Sequence, residues 1–344
     1  MTSAPRSFAP VVLVAPLDWG LGHATRCIPI IQKLRARGFE VLLGGSGASG
    51  QLLRDAFPEL PYHELPGHIV RYAKTGRGLL WKVGKQLPQL RNIVEAERQW
   101  LTTFLNNNRL DAVISDNRYG LHHSSLPSIF ITHQLEIRTP FGALGRQLFR
   151  RFHYRLIQAF SACWVPDSPH PSLAGSLSHP SVLPHLPTRY IGPLSRFSAA
   201  SAAGNKWMLA VLLSGPEPQR SIWEAQLLPQ LALLNGPVLL LRGLPGSNER
   251  LPAPPNVTVL PHLPTAQLQE ALSDASVLLA RCGYSTVMDA AALRKRSVLV
   301  PTPGQPEQEY LARHLTETGI ALCYQQHELD LQRALAAAEK FDYR

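Results

Sequence analysis

A chain of 344 residues, 45% of them apolar, is longer than one hydrophobic core supports, so two domains are expected and an unstructured chain is not. No apolar run approaches bilayer length and Met1 to Pro10 lacks the charged-then-apolar pattern of a secretory leader, so a cytoplasmic protein is expected. The formal charge of +10 lies wholly in the first half: Met1 to Tyr190 holds 21 lysines and arginines against 11 acids, and Ile191 to Arg344 holds 13 of each.

The first predicted element is the apolar run Val11 to Ala15, a strand that leads through "LDWGLGH" into a helix. Cys27, Ile28, Ile31 and Leu34 recur at helical spacing; Lys33, Arg35 and Arg37 gather at its end, and Gly38 supplies the stop. Pro29 is expected only in the first turn of such a helix. Further strands are predicted at Glu40 to Gly44, Ala112 to Ser115, Ser128 to Thr132 and Ala162 to Val165. Thr188 to Gly204 turns to Gly, Pro, Ser and Ala and marks a boundary. Beyond it come strands at Trp207 to Leu213, Val238 to Leu241, Val257 to Leu260, Val277 to Ala280 and Val298 to Val300, alternating with helices, then a helical tail from Leu329 to Lys340.

Strands alternating with helices imply parallel sheets covered on both faces. The fold class expected is α/β: two doubly wound Rossmann-like domains, residues 1–190 and 191–325, facing across a cleft. The tail, residues 326–344, is expected to pack back on the N-terminal domain. Cys27, Cys163, Cys282 and Cys323 show no short C-x-x-C spacing and read as buried thiols, with no metal site.

Gly20-Leu21-Gly22-His23 resembles the start of a dinucleotide fingerprint, but Thr25 holds the third position and no acid ends the next strand, so a dinucleotide is not expected. The glycines either let the helix pack tightly on the strand or open its amides to a ligand, with His23 a candidate general base. Asp116, followed by Asn117 and Arg118 at a strand's end, reads as a base, an acceptor anchor or a helix cap. His133 and Gln134 end the next strand and are placed on the acceptor side.

In the second half, "ARCGYSTVMDAAALRKRSVLVPTPGQPEQEYLARHL" enters a helix through Gly283, Ser285 and Thr286, a start suited to phosphate because free amides and the helix dipole favour an anion. Asp289 follows where a carboxylate reaches vicinal hydroxyls, and the next strand ends in a loop carrying Gln305, Glu307, Gln308 and Glu309. This segment resembles the nucleotide-sugar signature of GT-B glycosyltransferases, in the branch typified by the peptidoglycan UDP-N-acetylglucosamine transferase that forms lipid II. The resemblance implies that Gly283, Ser285 and Thr286 meet a diphosphate, Asp289 the ribose, and Gln308 with Glu309 the donor sugar. It pairs Gly22 with His23 in the family's N-terminal turn, matches Ser214 and Gly215 to a Gly-Ser loop, and puts Leu263 in the loop whose backbone meets the base. Asp289 is shorter than the usual glutamate, Glu309 replaces a neutral amide, and Glu217 adds a negative charge near the diphosphate unless Arg220 offsets it.

The function expected is therefore inverting, metal-independent transfer from a UDP-sugar, without a cofactor, with His23 or Asp116 as the base. A nucleotide-sugar 2-epimerase of the same fold and a noncatalytic nucleotide-sugar-binding protein are the alternatives. Arg77, Trp81, Lys82 and Lys85, with Arg150 and Arg151, mix basic and apolar residues as an anionic membrane surface requires. Membrane-facing placement implies a lipid-linked acceptor and a peripheral position on the inner face of the membrane; the other reading is a core stripe with solvated arginines. Nucleic acid is not an expected partner, because no binding motif accompanies the charge.

Overall fold

The computed structural model describes residues 9–67, 79–139, 142–198, 204, 206–247, 249 and 251–344, and for residues 79–87 the backbone alone. The chain divides into two compact units, residues up to 194 and from 195 onward, except that 138–140 and 171–175 group with the second.

The first unit comprises β1 (Val11–Pro16), α1 (Leu21–Ala36), β2 (Glu40–Gly45), α2 (Gly47–Ala56), β3 (Tyr62–Glu64), α3 (Leu79–Asn107), β4 (Ala112–Asp116), β5 (Ser128–Ile131), α4 (Gly142–Ile157), β6 (Ala162–Val165) and β7 (Thr188–Tyr190). All its strand pairs are parallel, in the order β3-β2-β1-β4-β5-β6-β7. Every residue of β1 is buried, as a central parallel strand with both faces covered requires. Strand order reverses at β1, and its register with β4 sets Pro16 beside Asp116, so the ends of both strands open into the crevice where such sheets hold ligands.

The second unit repeats the plan with β8 (Trp207–Leu212), α5 (Gln219–Ala232), β9 (Val238–Leu241), β10 (Val257–Leu260), α6 (Thr265–Ser273), β11 (Ala275–Arg281), α7 (Tyr284–Ala292), β12 (Ser297–Val300), α8 (Pro306–Glu317), β13 (Leu322–Cys323) and α9 (Leu331–Lys340). Its order is β10-β9-β8-β11-β12-β13, again parallel, with the reversal at β8 and β11.

Several expectations are corrected. Leu331, Ala334 and Ala338 of α9 lie in the second unit's core with Trp223, Leu227 and Leu231 of α5, so the tail is part of the second unit and not a separate piece. Pro29 stands in the middle of α1, not its first turn. It removes one backbone donor, and burial of Cys27, Ile28, Ile30 and Ile31 holds the helix across the gap. Helix α2 was not expected: Gly47 to Gly50 form its start, where Gly50 approaches so closely that an added Cβ would lie 2.2 Å from the Tyr62 hydroxyl. Cys27, Cys163 and Cys282 are buried, but Cys323 is only half-buried.

One buried ion pair ties β4 to its surroundings. Arg118 and Glu97 of α3 are both fully buried and meet at 2.9 Å. Arg118 also donates to the carbonyls of Pro16 and Pro66 and to the Ser46 hydroxyl, while Glu97 accepts from the Gly120 amide. Glu97→Ala leaves Arg118 charged in a dry site and is expected to cost about 3–5 kcal/mol of unfolding free energy, measured by urea denaturation; Glu97→Gln is expected to cost less.

Candidate functional site

Gly20 caps α1 at φ 76°, a conformation other residues rarely adopt, and nothing occupies the space where its side chain would be. The turn therefore serves the backbone path, and His23 follows in the first turn of the helix. Asp116, at the end of β4, is fully buried beneath it. Arg26 donates to both oxygens of Asp116, from Nε to Oδ2 at 2.5 Å and from Nη2 to Oδ1. His23 Nδ1 lies 3.0 Å from Oδ1, and Asn117 Nδ2 donates to the same oxygen at 3.2 Å. Arg26 Nη1 donates to His133 Nδ1 at 3.3 Å, which brings the second predicted histidine into the group. Gln134 follows it with its amide bonded to the Thr132 hydroxyl, and the Gly22 carbonyl accepts from the Thr25 hydroxyl.

Arg26 was not among the residues expected here. Its only trace in the sequence is the three-residue spacing from His23, which places both on one helix face. Burial alone pushes the Asp116 carboxyl up, but the Arg26 guanidinium and then His23 outweigh it and hold it well below the usual carboxylate range. Burial and then Arg26 push His23 below its ordinary 6.5, against the opposite pull of Asp116. The imidazole is thus neutral at pH 7, with 16% of its side chain exposed and Nδ1 engaged, which leaves Nε2 for a ligand.

The residues expected to hold a donor gather at the carboxyl ends of β8, β10, β11 and β12. Gly283 caps α7 with no side-chain hydrogen bond, the first turn carries no acid, and an added Cβ at Gly283 would meet nothing within 4 Å. The Ser285 and Thr286 hydroxyls bond to no other described residue, and both side chains are half-buried. Ser214 is half-buried beside Gly215, whose φ of 101° favours glycine. Leu263 bonds to no other described residue through its amide or carbonyl.

Three placements modify the expectations. The Ser195 hydroxyl donates to Asp289 Oδ1 at 2.5 Å, so one carboxylate oxygen is already taken. Gln308 accepts the Thr302 amide at 2.8 Å and donates to the Gln305 side chain, and Glu309 accepts the Gly304 amide at 3.0 Å; both side chains fasten their own loop. Glu217 accepts from Arg220 Nε at 2.6 Å and from the Ser221 amide, so it caps α5 with its charge matched.

On α4, Leu144, Leu148 and Phe152 are 82%, 68% and 41% exposed. They stand one above another at four-residue spacing, with exposed Arg151 and Arg155 on the same side of a helix turning about 100° per residue. Arg150 is corrected: it turns to the Ser181 hydroxyl at 3.4 Å and lies 4.0 Å from Glu136. Arg77 lies outside the described residues, and Trp81, Lys82 and Lys85 fall where only the backbone of α3 is described. Among the described residues no helix is long and apolar enough to cross a membrane, and no group of three or more His, Cys, Asp or Glu side chains could hold a metal ion.

Residues 247–342 match the glycosyltransferase family 28 C-terminal domain. An uncharacterized glycosyltransferase of Methanosarcina acetivorans is 28% identical over 163 residues, 44% of this chain and 41% of that protein. The UDP-N-acetylglucosamine--N-acetylmuramyl-(pentapeptide) pyrophosphoryl-undecaprenol N-acetylglucosamine transferase of Desulforudis audaxviator is 36% identical over 96 residues, 27% of this chain and 25% of that protein. The chain thus spans less than half the length of either relative. Among solved structures, the kitacinnamycin glycotransferase shares 17% identity at a TM-score of 0.67, over 96% of this chain and 90% of that one. A UDP-glucosyltransferase from Polygonum tinctorium capable of glucosylating indoxyl shares 14% at a TM-score of 0.65, over 98% and 90%. These likenesses establish the fold as GT-B.

Burial raises the Asp289 carboxyl to about 6, against the lowering pull of Ser195 and Arg196. A carboxyl whose folded value exceeds its unfolded 3.8 stabilises fully below that value, and the contribution is lost as pH rises to about 6. Asp289→Asn is therefore expected to raise stability at pH 7.5 by up to about 3 kcal/mol, with no gain at pH 3.5, read by thermal melting at both pH values.

Proposed function

We propose that the protein is an inverting glycosyltransferase that moves a sugar from a UDP-sugar to a lipid-linked acceptor. The observation that carries the reading is the family 28 match over residues 247–342, which spans a helix, α7, whose start carries no side-chain cap and whose two hydroxyls bond to no other described residue. A UDP-sugar is favoured because the Desulforudis relative and the Polygonum enzyme are both named for UDP donors.

In this reading the amides at the start of α7, with Ser285, Thr286 and the Ser214-Gly215 loop, receive the diphosphate and stabilise the charge that develops as it leaves, without a metal ion. Leu263 offers its backbone to the base, and Asp289 holds the ribose through Oδ2, since Oδ1 belongs to Ser195. The sugar is met by what the loop leaves of Gln308 and Glu309, the second N–H of the amide and Oε2 of the acid. Glu217 is turned to Arg220 and does not oppose the diphosphate.

Chemistry at the anomeric carbon needs a base for the acceptor hydroxyl. His23, neutral and 3.0 Å from Asp116 through Nδ1, takes that proton on Nε2 while the acceptor oxygen bonds to the anomeric carbon and the bond to the diphosphate breaks. A single displacement of this kind inverts the configuration. Asp116 is the orienting partner, since its two oxygens are committed to Arg26 and it is held ionised.

The α4 face supports an acceptor held at a membrane. Leu144, Leu148 and Phe152 beside Arg151 and Arg155 offer apolar area and positive charge together, which suits an anionic lipid surface on which the protein rests peripherally.

Two measurements test the reading. With UDP-sugar and a lipid-linked acceptor, His23→Ala is expected to lose about 10²–10⁴ in turnover with donor affinity retained, and kcat/KM should rise through a midpoint below 6.5 and then stay flat. Donor consumed equally well without any acceptor would contradict transfer. Leu148→Asp is expected to abolish co-sedimentation with anionic liposomes at low salt, whereas neutral liposomes should bind weakly before and after the change.

A further inference from the structure

A carboxylate beside a histidine ordinarily raises the histidine's proton affinity, because imidazolium gains an opposite charge. Around His23 burial opposes that gain, and a second ion, Arg26, opposes it further. Arg26 is 2% exposed and Asp116 fully buried, so their interaction is poorly screened. Both carboxylate oxygens are bonded to the guanidinium, and the pair as a whole carries no net charge. Arg26 Nη2 lies 2.7 Å from His23 Nδ1, nearer than the carboxylate oxygen at 3.0 Å.

We infer that Arg26 is a positioning residue that keeps His23 neutral by cancelling the charge of Asp116, so that the imidazole rests on an ion pair and not on a bare carboxylate. The inference rests on the proposed role of His23 as base and supplies the residue that suits it to that role. Among the described residues, Asp116 Oδ1 and Arg26 Nη2 face His23 Nδ1 directly. Around that pair, Cys27 of α1 and the neutral Asn117 at the end of β4 bond to Asp116, and His133 from the segment after β5 bonds to Arg26. Burial pushes the Cys27 thiol well up, so it stays uncharged. A second proton on His23 therefore adds a net positive charge to a buried site already containing a guanidinium.

The test is a nitrogen-resolved NMR titration of the His23 ring in the full chain, assigned by loss of the signal in His23→Gln. In the wild type the ring is expected to be neutral at pH 7 and to titrate below 6.5. Arg26→Gln exposes the carboxylate and should raise the midpoint by about one pH unit or more. Asp116→Asn leaves the guanidinium unbalanced and should lower it further than in the wild type. A wild-type midpoint at or above 6.5, an unchanged or lowered midpoint in Arg26→Gln, or a raised one in Asp116→Asn overturns the proposal. A wild-type midpoint at or above 6.5 overturns the proposal even should a variant fail to fold. No nucleotide or acceptor enters the experiment, so its failure leaves glycosyl transfer standing, and failure of the turnover assay leaves the tuning of His23 standing.

Discussion

The turn from Asp116 through Asn117 to Arg118 sets two opposite charges back to back in a dry interior, and the first unit is organised around satisfying both. Asn117 takes φ 58°, so the chain reverses within a single residue. Asp116 is thereby directed to Arg26 on α1 and Arg118 to Glu97 on α3. Each ion carries a full complement of partners, which separates a tolerated buried charge from a destabilising one. The histidine at the mouth of the crevice inherits its position and its proton affinity from this arrangement.

The second unit solves a different problem with less charge. In the proposed reading its ligand groups are backbone amides and hydroxyls at the start of α7, and the nearby carboxylates Glu217 and Glu309 are bonded to the protein itself. An anion arriving there meets no unmatched negative charge from either residue. Asp289 is the exception: burial makes its ionised form costly, and only the Ser195 hydroxyl and the charge of Arg196 offset that. Residues kept at a cost to stability mark sites shaped by something other than folding.

How much of this was legible in sequence depended on the distance over which each feature is specified. Central strands such as β1, β9 and β12 are continuous apolar runs and were placed within a residue or two, because a strand covered on both faces needs no other signal. The edge strands β3, β7 and β13 have two or three residues and were invisible: half-buried edges carry no apolar run. Helix α2 was hidden by glycines that local propensity counts against a helix but that the close approach to Tyr62 requires. His23 and Asp116 were found as individual candidates, since each ends or follows a strand. Their contact, with Arg26 between them, joins positions ninety residues apart and has no local signature. Ser195 was missed on Asp289 for the same reason, whereas the Glu217–Arg220 pair was readable from its spacing of three.

Cys282 adds a practical consequence. Its thiol is fully buried, lies immediately before Gly283, and has its ionisation pushed well up by contact with Cys323 and by burial. Alkylating reagents attack thiolates, so labelling at this position must wait for the end of β11 to open. The rate of modification thus becomes a built-in clock for that stretch of backbone, and any molecule seated on the adjoining turn will slow it.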